Sequence, residues 1–135
     1  MPWIIARIKG IMLTSGVITS TMLYAAIAPQ AALQSTFGEG LDGPVAEIVV
    51  RNWGALIGLV GAMLIYGAFQ PSSRRLVLTI AALSKIVFIG LIVAHGTRYL
   101  GHQAGIAVAV DSVFVLLFGA HLAASSRAHS GNSAA

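Results

Sequence analysis

The sequence contains no cysteine and very few charged residues. The absence of cysteine excludes disulfide exchange, thiolate metal sites and haem attached through thioether bonds. Charged residues make up only 9% of the chain, and soluble domains average about 25%. So few charged residues cannot cover a water-facing surface. The longest basic run is Arg74-Arg75, which argues against a nucleic-acid partner despite the net charge of +4.

Apolar residues, in contrast, make up 57% of the chain, and the mean hydropathy is +0.87. They form four long runs, at about residues 8–28, 45–69, 76–95 and 104–124. A helix of about 20 residues is ~30 Å long, the thickness of the hydrocarbon core of a bilayer. We therefore predict an all-α polytopic membrane protein. Its single domain, residues 1–128, is a four-transmembrane-helix bundle in the lipid bilayer, and a disordered polar tail follows at residues 129–135.

The distribution of basic residues predicts the orientation. An arrangement with both termini in the cytoplasm of a bacterial cell places five basic residues on that side of the inner membrane, namely Arg7, Lys9, Arg74, Arg75 and Arg127. The opposite side receives Arg51 and Arg98, together with the acidic loop at residues 34–47. The alternative is a signal peptide cleaved after Ala28, which Pro29 at the next position disfavours.

Charged residues within the apolar runs are the first candidate site. Lys85 is the tenth residue of the run 76–95 and Asp111 lies inside the fourth run. A charge at the bilayer centre costs ~2.5–3.5 kcal/mol, so it normally has a partner. Counting ~1.5 Å per residue brings Lys85 and Asp111 to similar depths, with Arg51 entering from the other side. The predicted cluster of Arg51, Lys85 and Asp111 is either a structural ion pair or a proton-linked or anion-binding site.

Small residues in the second run predict close helix packing. Gly54 and Gly58 form a GxxxG pattern, and Gly61 and Ala62 follow it. Arg51 shares the face of Gly54, Gly58 and Ala62, which directs it toward protein. A local ion pair with Glu47 is the alternative to an inward contact with Asp111. The packing partner is another helix of the bundle or a second copy of the chain.

Histidines and a tyrosine near the outer interface form a second candidate site. His95, Tyr99 and His102 are close enough in sequence to form a polar outer-face site. His121 lies at a different depth, which rules out bis-histidine haem ligation with His95. We predict neither a metal site nor a resident cofactor. Quinone or haem binding is kept as an alternative, with a quinone pocket placed near His95 and Tyr99.

Arg51-Asn52-Trp53-Gly54 at the start of the second helix, the basic turn and Asp111 in the fourth helix form a recognisable pattern. Over about residues 11–124 the chain resembles the small four-helix membrane proteins of the DoxX-like group. The resemblance implies a four-helix membrane fold. Most members have no assigned function, and some are linked to quinone or thiol redox partners. This chain has no cysteine for thiol chemistry, and Lys85 lies outside the pattern.

The functional expectation is a non-enzymatic membrane component, an accessory or assembly subunit in a larger membrane complex or a homo-oligomer. Two alternatives stay open. One is a small transporter or proton pathway built on the Arg51, Lys85 and Asp111 cluster. The other is a membrane subunit of an oxidoreductase. A transport role predicts a water-accessible pocket at the charge cluster.

Overall fold

A computed structural model describes residues 2–133, and these residues form helices and connecting turns. The helices are α1 (Pro2–Ser20), α2 (Tyr24–Ile27), α3 (Pro29–Phe37), α4 (Pro44–Phe69), α5 (Pro71–Ala94) and α6 (Gln103–Ser133), with a 3-10 turn (Thr21–Leu23) joining α1 to α2. Four stretches of this described part are long and apolar enough to cross a membrane: Trp3–Ile27, Pro44–Phe69, Pro71–Ala94 and Gln103–Arg127. The prediction of an all-α four-helix membrane bundle is confirmed.

Proline and glycine set most of the helix boundaries. Pro29, Pro44 and Pro71 each open a helix, where the missing N–H costs nothing because the first-turn N–H groups have no helical partner. The residue before a proline is kept out of the helical region. Ala28 and Gln70 accordingly adopt φ of −128° and −120° and separate successive helices. Gly38 ends α3 with a left-handed φ of 73°, the usual helix stop.

The long helices form an antiparallel ring. Within it α1 packs against α4, α4 against α5, α5 against α6, and α6 against α1. Residues 38–43 and 95–102 connect helices at one end, which we call the loop end. The opposite end, with Gln70 between α4 and α5, is called the turn end. Short α3 lies at the loop end and contacts both α4 and α6.

The α1–α4 interface is the closest in the bundle because glycines line it. A Cβ built at Gly61 would lie 2.6 Å from the backbone nitrogen of Ser20 and 2.8 Å from the Gly16 carbonyl oxygen. A Cβ at Gly54 would lie 2.7 Å from the Ala25 Cβ. The predicted small-residue face therefore packs within one chain, against α1, the 3-10 turn and α2. Ala62, which we predicted on this face, is exposed instead. At ~100° per residue, Gly61 returns to the direction of Gly54 and Ala62 overshoots it.

The apolar core fills the half of the bundle nearer the turn end. Met12, Leu64, Leu78 and Phe118 have 0% exposure and come from the four different long helices. Elsewhere, many large apolar side chains are exposed on the outer faces of these helices. That distribution fits a bundle whose solvent is lipid.

Three predicted boundaries differ from the structure. Residues 34–37, predicted as loop, belong to α3, because helix-forming residues follow Pro29. The basic turn at residues 72–75 is the first turn of α5. Helix α6 continues to Ser133, so residues 129–133 are not the disordered tail we predicted, and residues 134 and 135 lie outside the described residues. Alanines and Arg127 carry the helix past the apolar run, since both residue types favour helix.

Replacing Gly61 by alanine should destabilise the protein by ~1–3 kcal/mol, because the new methyl group meets backbone atoms that cannot move aside. Gly58→Ala should cost less, since its Cβ would meet the flexible end of Leu23 at 2.9 Å. Gly90→Ala on α5 is the control, with nothing within 4 Å of the added carbon. Thermal unfolding in detergent measures the loss of stability in each of the three variants. Equal losses at Gly61 and Gly90 would contradict the close α1–α4 contact.

Candidate functional site: a buried ion pair beside a cavity

The structure brings Lys85 and Asp111 together. Lys85 Nζ of α5 lies 2.7 Å from Asp111 Oδ1 of α6, and the two side chains are 7% and 18% exposed. Lys85 also donates to Thr19 Oγ1 of α1 at 3.3 Å, and its ammonium lies 5.7 Å from the centre of the Phe114 ring. Helices α1, α5 and α6 thus meet at one ammonium group.

Burial makes this pair interdependent. The low dielectric of the bundle strengthens the attraction between the two charges, but removing each of them from water is costly. Lys85 recovers part of that cost through the carboxylate, the threonine hydroxyl and the face of an aromatic ring. The pair therefore holds α5 against α6, and either residue left alone would be an uncompensated charge in an apolar setting.

Arg51 does not join this pair. Its guanidinium forms an ion pair with Glu47 one helical turn away, at 2.8 Å, and both side chains are about half exposed. Its Nη1 also donates to the carbonyl oxygen of Ala26 at 2.6 Å, near the end of α2. Carbonyl groups at a helix end have no helical partner, so an arginine there stabilises the end of the helix. The local pairing is therefore the one the structure shows for Arg51.

A cavity of about 380 Å³ lies beside the ion pair, in the half of the bundle nearer the loop end. Lys85 and Asp111 form part of its wall, together with apolar side chains that include Trp53 and Phe88. Two further wall residues, Ile18 of α1 and Ile106 of α6, are also exposed on the outside of the bundle. Exposed wall residues on these two neighbouring helices indicate that the cavity reaches the surface of the bundle between α1 and α6.

Seven of the sixteen residues in the cavity wall have polar or charged side chains: Thr19, Thr21, Thr36, Ser84, Lys85, Gln103 and Asp111. Thr36 of α3 is only 4% exposed, and its Oγ1 forms no hydrogen bond in the described residues. Buried hydroxyl groups nearly always have a partner. The oxygen is fully buried, so it is not open to the cavity although the residue lines it.

The histidines at the loop end take part in aromatic packing. His95 stacks edge-on to Tyr99 at 5.9 Å, and Tyr99 in turn contacts Phe37 of the α3 end at 5.5 Å. His102 instead lies against Gly38, where any added Cβ would clash with its ring. Residues 2–133 contain no group of three or more metal-ligating His, Cys, Asp or Glu side chains.

An exposed ion pair closes the same end. Arg98 Nη2 lies 2.6 Å from Glu39 Oε1 and joins the loop after α3 to the loop after α5. The hydrogen bond and charge of Glu39 raise the pKa of Arg98 above its usual value. Since the side chains are more than half exposed, the contact positions the loops and adds little to stability.

The sequence did not predict the burial of four polar residues: Ser15, Thr19, Thr36 and His121. Thr19 lies in the first apolar run and is a partner of Lys85. Thr36 lay in a predicted loop and carried no signal. His121 is 7% exposed, with its Nε2 3.2 Å from Ser125 Oγ. Only Thr19 had a recognisable cue, a hydroxyl in an apolar run at the depth of a buried lysine.

No protein-family model matches the chain, and neither a curated protein nor a solved structure matches it. The resemblance to the DoxX-like group thus stays a prediction.

The ion pair can be tested by a double-mutant cycle. Asp111→Asn should destabilise the protein by ~3–5 kcal/mol, because it leaves Lys85 buried without a counter-charge. Lys85→Met combined with Asp111→Leu should recover much of that loss. Arg98→Met, which breaks an exposed pair, is the control and should have little effect. Unfolding in detergent of Lys85→Met, Asp111→Leu and their double variant completes the cycle, and additive losses in the double variant would show that the residues do not interact.

Proposed function

We propose that this chain is a non-enzymatic integral membrane protein that binds a small lipid-soluble molecule in the cavity beside Lys85 and Asp111. The observation that carries the proposal is the position of a buried ion pair in the wall of a cavity that opens between two membrane-spanning helices. A pair that served only to hold α5 and α6 together would need no such space beside it.

The cavity has the character of a ligand site. Its volume of about 380 Å³ lies within the ~300–1,000 Å³ typical of small-molecule pockets. Such pockets are mainly apolar, with a few polar groups that fix the orientation of the ligand. Trp53 and Phe88 supply apolar surface here, and Lys85 and Asp111 supply polar groups. A molecule dissolved in the bilayer can enter sideways between α1 and α6.

The arrangement favours binding over an open pathway. The core residues Met12, Leu64, Leu78 and Phe118 fill the bundle on the turn-end side of the ion pair. The cavity therefore ends at Lys85 and Asp111, and passage to the other side would require the core to rearrange. Two of the three roles considered from sequence are compatible with such a site: a transporter would hold its substrate here in one state, and an accessory subunit would present a bound molecule to a larger complex.

The proposed setting is the inner membrane of a bacterium, with both termini in the cytoplasm. Lys9 and Arg74 lie at the turn end, and Glu39 lies at the loop end. The excess of basic residues at the turn end supports a cytoplasmic position for it. The cavity then lies nearer the outer side of the membrane.

Ligand occupancy provides the decisive test. The wild-type protein, extracted with its native lipids into nanodiscs, should carry a bound small molecule detectable by native mass spectrometry. Ala107→Phe should abolish that adduct, because Ala107 lines the cavity and a phenyl ring would fill it. Ala109→Phe is the matched control, since Ala109 lies two residues along the same helix and is exposed.

The two variants separate the hypotheses. Loss of the adduct in Ala107→Phe alone supports binding in the cavity. Equal adducts in both variants would place the molecule elsewhere on the bundle. A protein partner that co-purifies equally with all three proteins, in the absence of any small-molecule adduct, would favour an assembly role instead.

Alkaline phosphatase fusions test the orientation. The enzyme is active only outside the cytoplasm, so a fusion after residue 128 should be inactive and one after Gly40 should be active. The reason is the charge asymmetry between the two ends of the bundle. The reverse pattern would invert the topology and place the cavity nearer the cytoplasm.

A further inference from the structure

The hydrogen bonding of the ion pair points to the chemistry of the ligand, on the assumption that the cavity is the binding site proposed above. We propose that the ligand is a neutral amphiphile whose polar group donates a hydrogen bond, namely a lipid-soluble alcohol or phenol. Asp111 is the acceptor. Its carboxylate takes one hydrogen bond, through Oδ1 from Lys85, and no other from residues 2–133. A carboxylate offers about four acceptor positions, so Asp111 retains acceptor capacity.

Lys85, in contrast, has little donor capacity left for a ligand. Two of its three ammonium hydrogens are directed to Asp111 and Thr19, and its charge also faces the Phe114 ring. At the ion pair, the carboxylate therefore has more unused hydrogen-bonding capacity than the ammonium group, which keeps one hydrogen without a partner among the described residues. A ligand that can only accept hydrogen bonds, such as an ether, has at most that one hydrogen as a partner there.

The charge balance selects against ions. Lys85 and Asp111 neutralise each other across 2.7 Å. An anionic head group would have to displace Asp111 from Lys85 and leave a carboxylate buried without a partner, which is costly. A cationic head group would approach the carboxylate beside an ammonium of the same sign. A neutral hydroxyl group donates to Asp111 without either penalty.

Apolar side chains form most of the rest of the site. Trp53, Ile57 and Phe88 form apolar wall for the body of the molecule.

The test compares three probes with one chain length: 10-bromodecan-1-ol, its methyl ether and 10-bromodecanoate. Bromine quenches tryptophan on contact, and Trp53 lines the cavity. A Trp3→Phe background in nanodiscs leaves Trp53 as the sole reporter, since the chain has two tryptophans. Ala107→Phe gives the quenching that arises from the bilayer alone, and only the saturable excess over it counts as binding.

We expect the alcohol to saturate at a mole fraction at least tenfold lower than the ether or the carboxylate. In Lys85→Met with Asp111→Leu, the alcohol and the ether should bind alike.

Each contrary outcome has a separate meaning. Equal binding of alcohol and ether by the wild type would overturn the donor assignment and leave the cavity as a binding site. Tightest binding by the carboxylate probe would show that Lys85 recognises anions. That result would also overturn the assignment of a neutral hydrogen-bond donor as ligand. Absence of saturable quenching by all three probes would refute the proposed function itself. All three comparisons use the wild-type ion pair, so they stand even if a variant fails to fold.

Discussion

An ammonium group placed in the middle of a membrane-spanning helix needs an anion within hydrogen-bond reach, and the rest of this bundle depends on that requirement. Lys85 lies on α5, and the carboxylate that satisfies it lies on α6. The pair therefore fixes which helix faces α5 at that depth. Thr19 extends the same constraint to α1. Three of the four long helices are aligned by one buried charge, and apolar packing alone has no such preference for one alignment.

The fourth long helix is positioned by a different force. Glycines on α4 allow its backbone to approach α1 closely, as at Gly61 and Gly16. In lipid, apolar surface alone does not drive helices together, and close van der Waals contact contributes much of the association. The two sides of α1 thus differ, with α4 pressed against one and an opening toward α6 on the other. This asymmetry leaves room for a cavity at the level of the ion pair.

Hydropathy was enough to predict the four membrane-spanning helices, because each one is a long apolar run and lipid permits few other structures. Counting residues along the helices was enough to place Lys85 near Asp111, since helical rise is constant. The same arithmetic does not decide between two partners for one cation. Arg51 forms an ion pair with Glu47 one turn away and donates a hydrogen bond to a carbonyl group at the end of α2. The cavity was also beyond sequence, because empty space depends on how side chains from five helices and the 3-10 turn fit together.

The ion pair alone would not indicate function, since a buried pair is often no more stabilising than well-packed apolar residues of similar size. The Lys85–Asp111 pair differs from such a pair because other features that reduce stability are present in the same bundle. A cavity removes packing contacts from its walls, and the unsatisfied hydroxyl of Thr36 costs ~1–3 kcal/mol. The cavity and the ion pair lie together in the loop-end half of the bundle, whereas unsatisfied polar atoms are spread over Ser15, Thr36 and His121. A cavity beside a buried ion pair is a combination that opposes stability, and such features are expected at functional sites. A bound molecule that fills the cavity and donates to Asp111 would offset part of this cost.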